Sequence, residues 1–124
     1  MPGRDSQAAG RWAEIAAERY LRDQGLRLVQ RNFRCRRGEI DLIMTDADVL
    51  VFVEVRYRRT STFGTGADSI TSAKRRRLLA AAAFFLAGAS RTRQPACRFD
   101  VVSVSRGNYG PDLQWIRDAF THTA

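Results

Sequence analysis

Apolar and polar positions alternate in two distinct ways along the first third of the chain. Apolar residues recur every three or four positions over residues 7–24, which predicts an amphipathic helix that ends at Gly25. Residues 26–33 show an imperfect period of two, which predicts a short strand. A turn is expected at residues 36–38, so the chain is predicted to open with a helix, a strand and a turn.

The next two segments are typical of a β-hairpin. Apolar side chains alternate over residues 39–44, which places Ile40, Leu42 and Met44 on one predicted face. Residues 49–57 consist mainly of strong β-formers, and a polar Asp-Ala-Asp turn lies between the two segments. We therefore expect these strands to pair with each other.

A loop is expected over residues 58–68, followed by a second helix over residues 71–87. Apolar residues nearly encircle this helix in its second half, so it is predicted to be well buried. Phe84 and Phe85 lie among alanines there, and both are assigned to the core.

Two further segments complete the pattern. Residues 97–105 predict a fourth strand, and residues 113–117 predict a short strand or a helix turn. The resulting order is α, β, β, β, α, β and a weak final β. This order predicts an α/β fold with a central mixed sheet flanked by helices.

Composition indicates a single basic domain. The chain has 124 residues, of which 44% are apolar, so one domain over residues 1–124 is expected, with a core over about residues 7–118. Lys and Arg number 21 against 13 Asp and Glu, and the net charge of +8 favours a polyanionic partner. The longest apolar run is too short to span a bilayer and no apolar leader is visible, so no membrane partner and a cytoplasmic location are expected.

Few residues are available for other kinds of site. Two cysteines and one histidine argue against a disulfide framework and against a structural zinc site. The histidine, His122, lies near the end of the chain, where it is a poor candidate for a rigidly placed base. Any chemistry is therefore expected to depend on carboxylates, a metal or lysine.

The predicted hairpin brings acidic residues together. A turn centred on residues 47 and 48 sets Asp41 opposite Glu54 and Glu39 opposite Arg56. Two carboxylates about 4 Å apart repel by roughly 4 kcal/mol at an effective dielectric constant near 20. A protonated carboxyl, the nearby Arg56 or a divalent cation would offset this repulsion. The alternative is an ion-pair network of Asp41, Glu54 and Arg56 that only stabilises the hairpin.

Basic residues crowd the segments around these acids. An acidic metal site bordered by arginines is what phosphodiester hydrolysis requires, although each basic run alone is also typical of a solvated face. Lys74 is the single lysine among the 21 cations, and it is a candidate to contact the scissile phosphate or the attacking water. The three segments hold 11 of the cations: Arg31, Arg34, Arg36 and Arg37, then Arg56, Arg58 and Arg59, then Lys74, Arg75, Arg76 and Arg77.

The order and spacing of several motifs resemble the YraN family of uncharacterised bacterial proteins over about residues 10 to 120. That family is similar to the PD-(D/E)XK nuclease superfamily and its archaeal Holliday-junction resolvase branch. The motifs are Trp12-Ala13-Glu14-Ile15-Ala16, Arg31-Asn32, Gly38-Glu39-Ile40-Asp41-Leu42-Ile43, Val51-Phe52-Val53-Glu54-Val55-Arg56-Tyr57-Arg58, the helix opening at Ile70 with Lys74, and Arg98-Phe99-Asp100-Val101-Val102.

The resemblance implies a restriction-endonuclease-like core and a metal site. It assigns Glu14, Asp41 and Glu54 as metal ligands and Arg56 as the catalytic cation, at a position where the superfamily pattern usually has Lys. Arginine stays protonated, so it can bind phosphate but cannot act as a base. Lys74 or a metal-bound water would then take that role.

The leading hypothesis is a Mg²⁺- or Mn²⁺-dependent endonuclease that acts on nucleic acid, with branched or damaged DNA as the candidate substrate. Asp41 and Glu54 would hold the metal with Glu14, and Arg56 and Lys74 would contact the phosphate. One alternative is a nucleic-acid-binding module without cleavage, and another is an adaptor whose acidic hairpin is structural. Cutting a symmetric junction would favour a homodimer. The expected backbone-binding residues are Arg34, Arg36, Arg37, Arg58, Arg59, Arg75 and Arg76.

Overall fold

Two helices and five strands form the part of the chain that the computed structural model describes, which is residues 2–59, 70–88 and 95–120, with side chains from residue 7 onward. This order confirms the predicted sequence of elements. The elements are α1 (Pro2–Asp23), β1 (Arg27–Cys35), β2 (Gly38–Asp46), β3 (Val49–Arg58), α2 (Ser72–Gly88), β4 (Cys97–Arg106) and β5 (Pro111–Phe120).

The strands form one mixed sheet in the order β1-β2-β3-β4-β5. β3 and β4 are parallel, and every other neighbouring pair is antiparallel. Parallel neighbours need a crossover connection, and α2 lies in the connection between β3 and β4. The fold is therefore α/β with a restriction-endonuclease-like core, as expected.

Each face of the sheet carries its own apolar cluster. Ala13, Ala17 and Leu21 recur every four residues on α1 and pack against one face. Leu78, Ala81 and Ala82 of α2 pack against the other face. The middle of β3 is buried from both sides, which explains its nearly continuous run of apolar residues. Among the described residues, neither helix is long and apolar enough to cross a membrane.

The alternation of β2 is broken at Asp41, so one expectation was wrong. Leu42 and Met44 pack in the cluster under α1, but Ile40 packs in the cluster under α2. On β1, Asn32 has a φ of 50° and lies between the pairs that join β1 to Leu42 and Ile40. The left-handed conformation of Asn32 interrupts the regular pleat, and Ile40 and Leu42, on either side of Asp41, therefore face opposite sides of the sheet.

The burial of α2 was also overestimated. Its apolar residues pack on one side only, so Phe85 contacts Phe33 and Phe52 while Phe84 is 57% exposed. The helix covers mainly β2.

The final element is a ten-residue strand rather than a short strand or a helix turn. It is long because β4 offers it an antiparallel partner, and its proline stands at the first position of this edge strand. Of the predicted loop over residues 58–68, residue 58 belongs to β3 and residues 60–68 lie outside the described residues.

Candidate functional site

Asp41 lies where the pairing of β2 with β3 ends. The register near the turn is as predicted, and the ladder runs from Asp46↔Val49 to Leu42↔Val53. One position further, the Asp41 Oδ2 accepts a hydrogen bond of 2.8 Å from the backbone N–H of Val55. The Asp41 side chain therefore accepts a hydrogen bond from the backbone of β3, next to Glu54.

Glu39 does not take the place opposite Arg56 that the hairpin register predicted. It pairs with Arg34 of β1, and the Arg34 Nε lies 3.3 Å from the Glu39 Oε2. Both side chains are mostly exposed, so this ion pair stabilises the edge of the sheet only slightly.

Glu54 is a buried carboxylate with a cation at its side. The residue is 5% exposed, and the Lys74 Nζ lies 2.6 Å from its Oε1. Lys74 stands in the first turn of α2, where the Thr71 Oγ1 accepts its backbone N–H and caps the helix. The cap fixes the start of α2, from which Lys74 reaches Glu54. The structure thus brings Lys74 to Glu54, and its contact with phosphate or with the attacking water stays a prediction.

The pKa values of Asp41 and Glu14 are both raised. Burial and, after it, the negative charge of Glu54 raise the pKa of Asp41 to about 8, against the opposing effect of the Val55 N–H. Burial also raises the pKa of Glu14, on α1, and the charge of Glu39 adds to this rise. Asp41, Glu54 and Glu14 therefore share one electrostatic environment.

Asn32 contributes to the site although no role was predicted for it. Its side chain hydrogen-bonds the Glu14 carboxylate, which lowers the pKa of Glu14 against the effect of burial. The adjacent Arg31 is not part of a free basic border, because its Nε and Nη2 bind the two Glu18 oxygens at 2.6 and 2.8 Å. Glu18 follows Glu14 by one helical turn, so the Arg31–Glu18 pair holds β1 where Asn32 meets Glu14.

The donor set fits a hard divalent cation. Mg²⁺ is commonly held by one or two carboxylates together with waters and substrate phosphate, and Asp41 with Glu54 meets that need. Within the described ranges, however, no three Asp, Glu, His or Cys side chains gather as a ready-made ligand cluster. Glu14 acts on Asp41 through its charge, and its role as a third ligand stays a prediction.

A cavity of about 530 Å³ opens between the β1–β2 turn and α2, with Glu54 in its wall. A Cβ on Gly38 would lie 2.5 Å from the Arg77 carbonyl oxygen, so only glycine allows the turn to approach α2 this closely. We call this space the α2 cavity. The basic residues that line it are Arg34, Arg36, Arg37, Lys74 and Arg77.

Not all of the predicted backbone-binding arginines line this cavity. Arg34, Arg36 and Arg37 do, whereas Arg58, Arg59, Arg75 and Arg76 do not. Arg75 lies with its guanidinium carbon 5.8 Å from the centre of the Phe120 ring, at the far end of β5. Arg56 follows Glu54 by two residues and pairs with Ser103 on β4. Arg77 is a cavity residue that the prediction left out.

Comparison with known proteins shows the family of this chain. The model of the uncharacterised protein family UPF0102 matches residues 13–104. The chain belongs to that family. This confirms the resemblance given by the sequence motifs.

Relatives within the UPF0102 family match nearly the whole chain. A UPF0102 protein of Stutzerimonas stutzeri (strain A1501) is 47% identical over 94% of this chain and 97% of its own length. One from Nitrosococcus oceani is 51% identical over 90% of both chains. Another, from Pseudomonas entomophila (strain L48), is 49% identical over 97% of this chain and 98% of its own length.

The raised pKa of Asp41 leads to a stability prediction for the protein in EDTA. The folded chain retains a proton up to about pH 8 that the unfolded chain loses near pH 4, so the folded state binds more protons between these values. Stability should therefore fall as the pH rises through this window, by at most about 1.4 kcal/mol per pH unit. Asp41→Asn keeps an acceptor for Val55 and should remove this part of the pH dependence.

Urea unfolding at pH 5, 6, 7 and 8 measures the effect. The free energy of unfolding of Asp41→Asn should rise relative to that of the wild type with each step in pH. Asp48→Asn, which changes an exposed carboxylate in the β2–β3 turn, serves as the control and should follow the wild type. Parallel pH profiles for wild type and Asp41→Asn would contradict the prediction.

Proposed function

We propose that this UPF0102 protein is a metal-dependent endonuclease that hydrolyses phosphodiester bonds in DNA, with branched or damaged DNA as the substrate. The observation that carries the proposal is Glu54, which lies in the wall of a cavity lined by arginines with the Lys74 Nζ at 2.6 Å, and whose charge acts on the neighbouring Asp41. Buried acids are costly unless something compensates their charge, so a functional reason for them is favoured. We also propose that the protein acts in the cytoplasm.

In this proposal some side chains bind the DNA backbone and others stabilise the charge that develops during cleavage. Arg36, Arg37 and Arg77 would hold the phosphates of the strand on either side of the bond. Lys74, already oriented by Glu54, would place its ammonium against the phosphate on which negative charge develops. Arg56 would add a permanent positive charge close to Glu54, without acting as a base.

A Mg²⁺ or Mn²⁺ ion held by Asp41 and Glu54, with Glu14 beside them, would supply Lewis-acid stabilisation and lower the pKa of an attacking water. Asp41 would be oriented for this by its bond from Val55, and Glu14 by its bond from Asn32. The buried position of Glu54 would keep bulk water from screening the charges.

The second candidate function is a nucleic-acid-binding module without cleavage. One observation favours it: Lys74 already compensates Glu54, so the acid needs no metal to be tolerated in the core. In that case the basic cavity would bind the backbone and the acidic pair would only orient Lys74.

A cleavage assay separates these functions. End-labelled single-stranded, duplex and four-way-junction DNA is incubated with the wild type in Mn²⁺ or in EDTA, beside Glu54→Gln and the control Asp48→Asn. Asp48 is an exposed acid in the β2–β3 turn, so its variant has the same charge change away from the site. Cutting in Mn²⁺ by wild type and Asp48→Asn, but not by Glu54→Gln, supports the nuclease. DNA retention without any cut by all three proteins supports the binding module.

A further inference from the structure

A second cavity, of about 420 Å³, lies between α1 and β1, with Glu14 in its wall. We call it the α1 cavity. Arg34 lines both this cavity and the α2 cavity, so the two spaces share a wall. Its lining residues are Gln7, Gly10, Arg11, Glu14, Asn32 and Arg34.

The α1 cavity is lined by two guanidinium groups. Arg11 and Arg34 flank Glu14, and their positive charges act on it together with the negative charge of Glu39, the residue with which Arg34 pairs. The Glu14 carboxylate also accepts a hydrogen bond from Asn32, which turns part of its charge toward β1. Arg34 is mostly exposed, and its Nε lies 3.3 Å from the Glu39 carboxylate. A guanidinium has five N–H donors, so others can face a ligand. An anion with two acceptor oxygens can accept hydrogen bonds from the guanidinium groups of both Arg11 and Arg34.

The helix leaves room for that anion. Gly10 stands inside α1, where glycine costs about 1 kcal/mol relative to alanine. A Cβ built on Gly10 would meet no atom of the described residues within 4 Å, so a ligand can approach the helix there. The backbone can therefore be approached closely beside Arg11.

We propose that the α1 cavity binds a phosphate of the nucleic-acid strand whose neighbouring phosphate lies in the α2 cavity. This inference rests on the proposed function and extends it. The strand would cross Arg34 from one cavity to the other and pass over Asp41 and Glu54 on the way. Because contacts to the phosphate backbone carry no sequence information, binding of a phosphate in this cavity would be independent of sequence.

Binding in EDTA tests the proposal without any cleavage. Fluorescence anisotropy with labelled single-stranded and four-way-junction DNA is measured for Arg11→Ala, and for Arg19→Ala as its control. Arg19 is an exposed arginine on the same helix, but it lines a separate groove with Trp12 and Leu113. Gly10→Leu fills the cavity, and Ala8→Leu adds the same side chain at an exposed position of α1. Thermal unfolding checks that each variant is folded.

Arg11→Ala should weaken binding about tenfold more than Arg19→Ala and lower the slope of log K against log salt by about 0.7 to 0.9. Gly10→Leu should weaken binding while Ala8→Leu does not. The proposal is overturned, and the proposed function kept, if Arg77→Ala weakens binding while Arg11→Ala and Gly10→Leu behave as their controls. If the wild type binds neither DNA, the proposed function and this inference both fail.

Discussion

Lys74→Ala is expected to lower the rate of DNA cleavage in Mn²⁺ by a factor of about 10² to 10³, the usual effect of losing one preorganised donor at a reacting group. The reason is geometric. Lys74 is held 2.6 Å from the buried Glu54 and is capped in place by Thr71, so its ammonium is preorganised before substrate arrives. Lys74→Arg keeps the charge on a longer, planar group and should recover only part of the rate.

Removal of Lys74 also leaves Glu54 without that partner, so folding must be measured beside activity. Single-turnover cleavage below the melting temperature, with enzyme in excess, separates the chemical step from binding. Arg19→Ala removes one exposed cation from the other helix and should change the rate less than threefold. Equal rates for wild type and Lys74→Ala would show that Lys74 only neutralises Glu54.

Asp100→Ala is expected to destabilise the fold by about 3 to 5 kcal/mol, the range seen when one partner of a buried ion pair is removed. Asp100 is 1% exposed, and its carboxylate accepts hydrogen bonds from three different groups. The Arg98 Nε lies at 3.0 Å, the Trp115 Nε1 at 2.9 Å and the backbone N–H of Asp118 at 2.9 Å. Without the carboxylate these donors would lose an acceptor, and the Nη2 of Arg98 already has no partner among the described residues.

Urea denaturation, followed by Trp115 fluorescence and by far-ultraviolet circular dichroism, measures this loss. Asp112→Ala, an exposed acid on β5, should change the free energy of unfolding by less than about 0.5 kcal/mol. Because Asp100 hydrogen-bonds Trp115, which packs against the cluster under α1, while Lys74 lies on α2, any residual folded protein should still bind DNA. A stable Asp100→Ala variant would contradict the assignment of this network as structural.

The candidate site illustrates how far local patterns reach. The turn at residues 47 and 48 was enough to predict the hairpin register, and the register brought Asp41 close to Glu54. Lys74 stood out as the single lysine, at the start of a helix beside the acidic hairpin, and it does contact Glu54. The role of Asn32 was missed, because no local rule signals that one strand residue will adopt a φ of 50° and hydrogen-bond a helix.

The order of elements, the hairpin register and the apolar stripe of α1 follow from the sequence alone, because periodicity and turn residues act through neighbours in the chain. Three features depend on tertiary packing instead. Ile40 faces α2 because the pleat breaks at Asn32, Arg77 reaches the cavity because Gly38 admits α2, and Phe84 is exposed because α2 covers mainly β2. Each depends on contacts between segments far apart in sequence, and no periodicity within one segment encodes them.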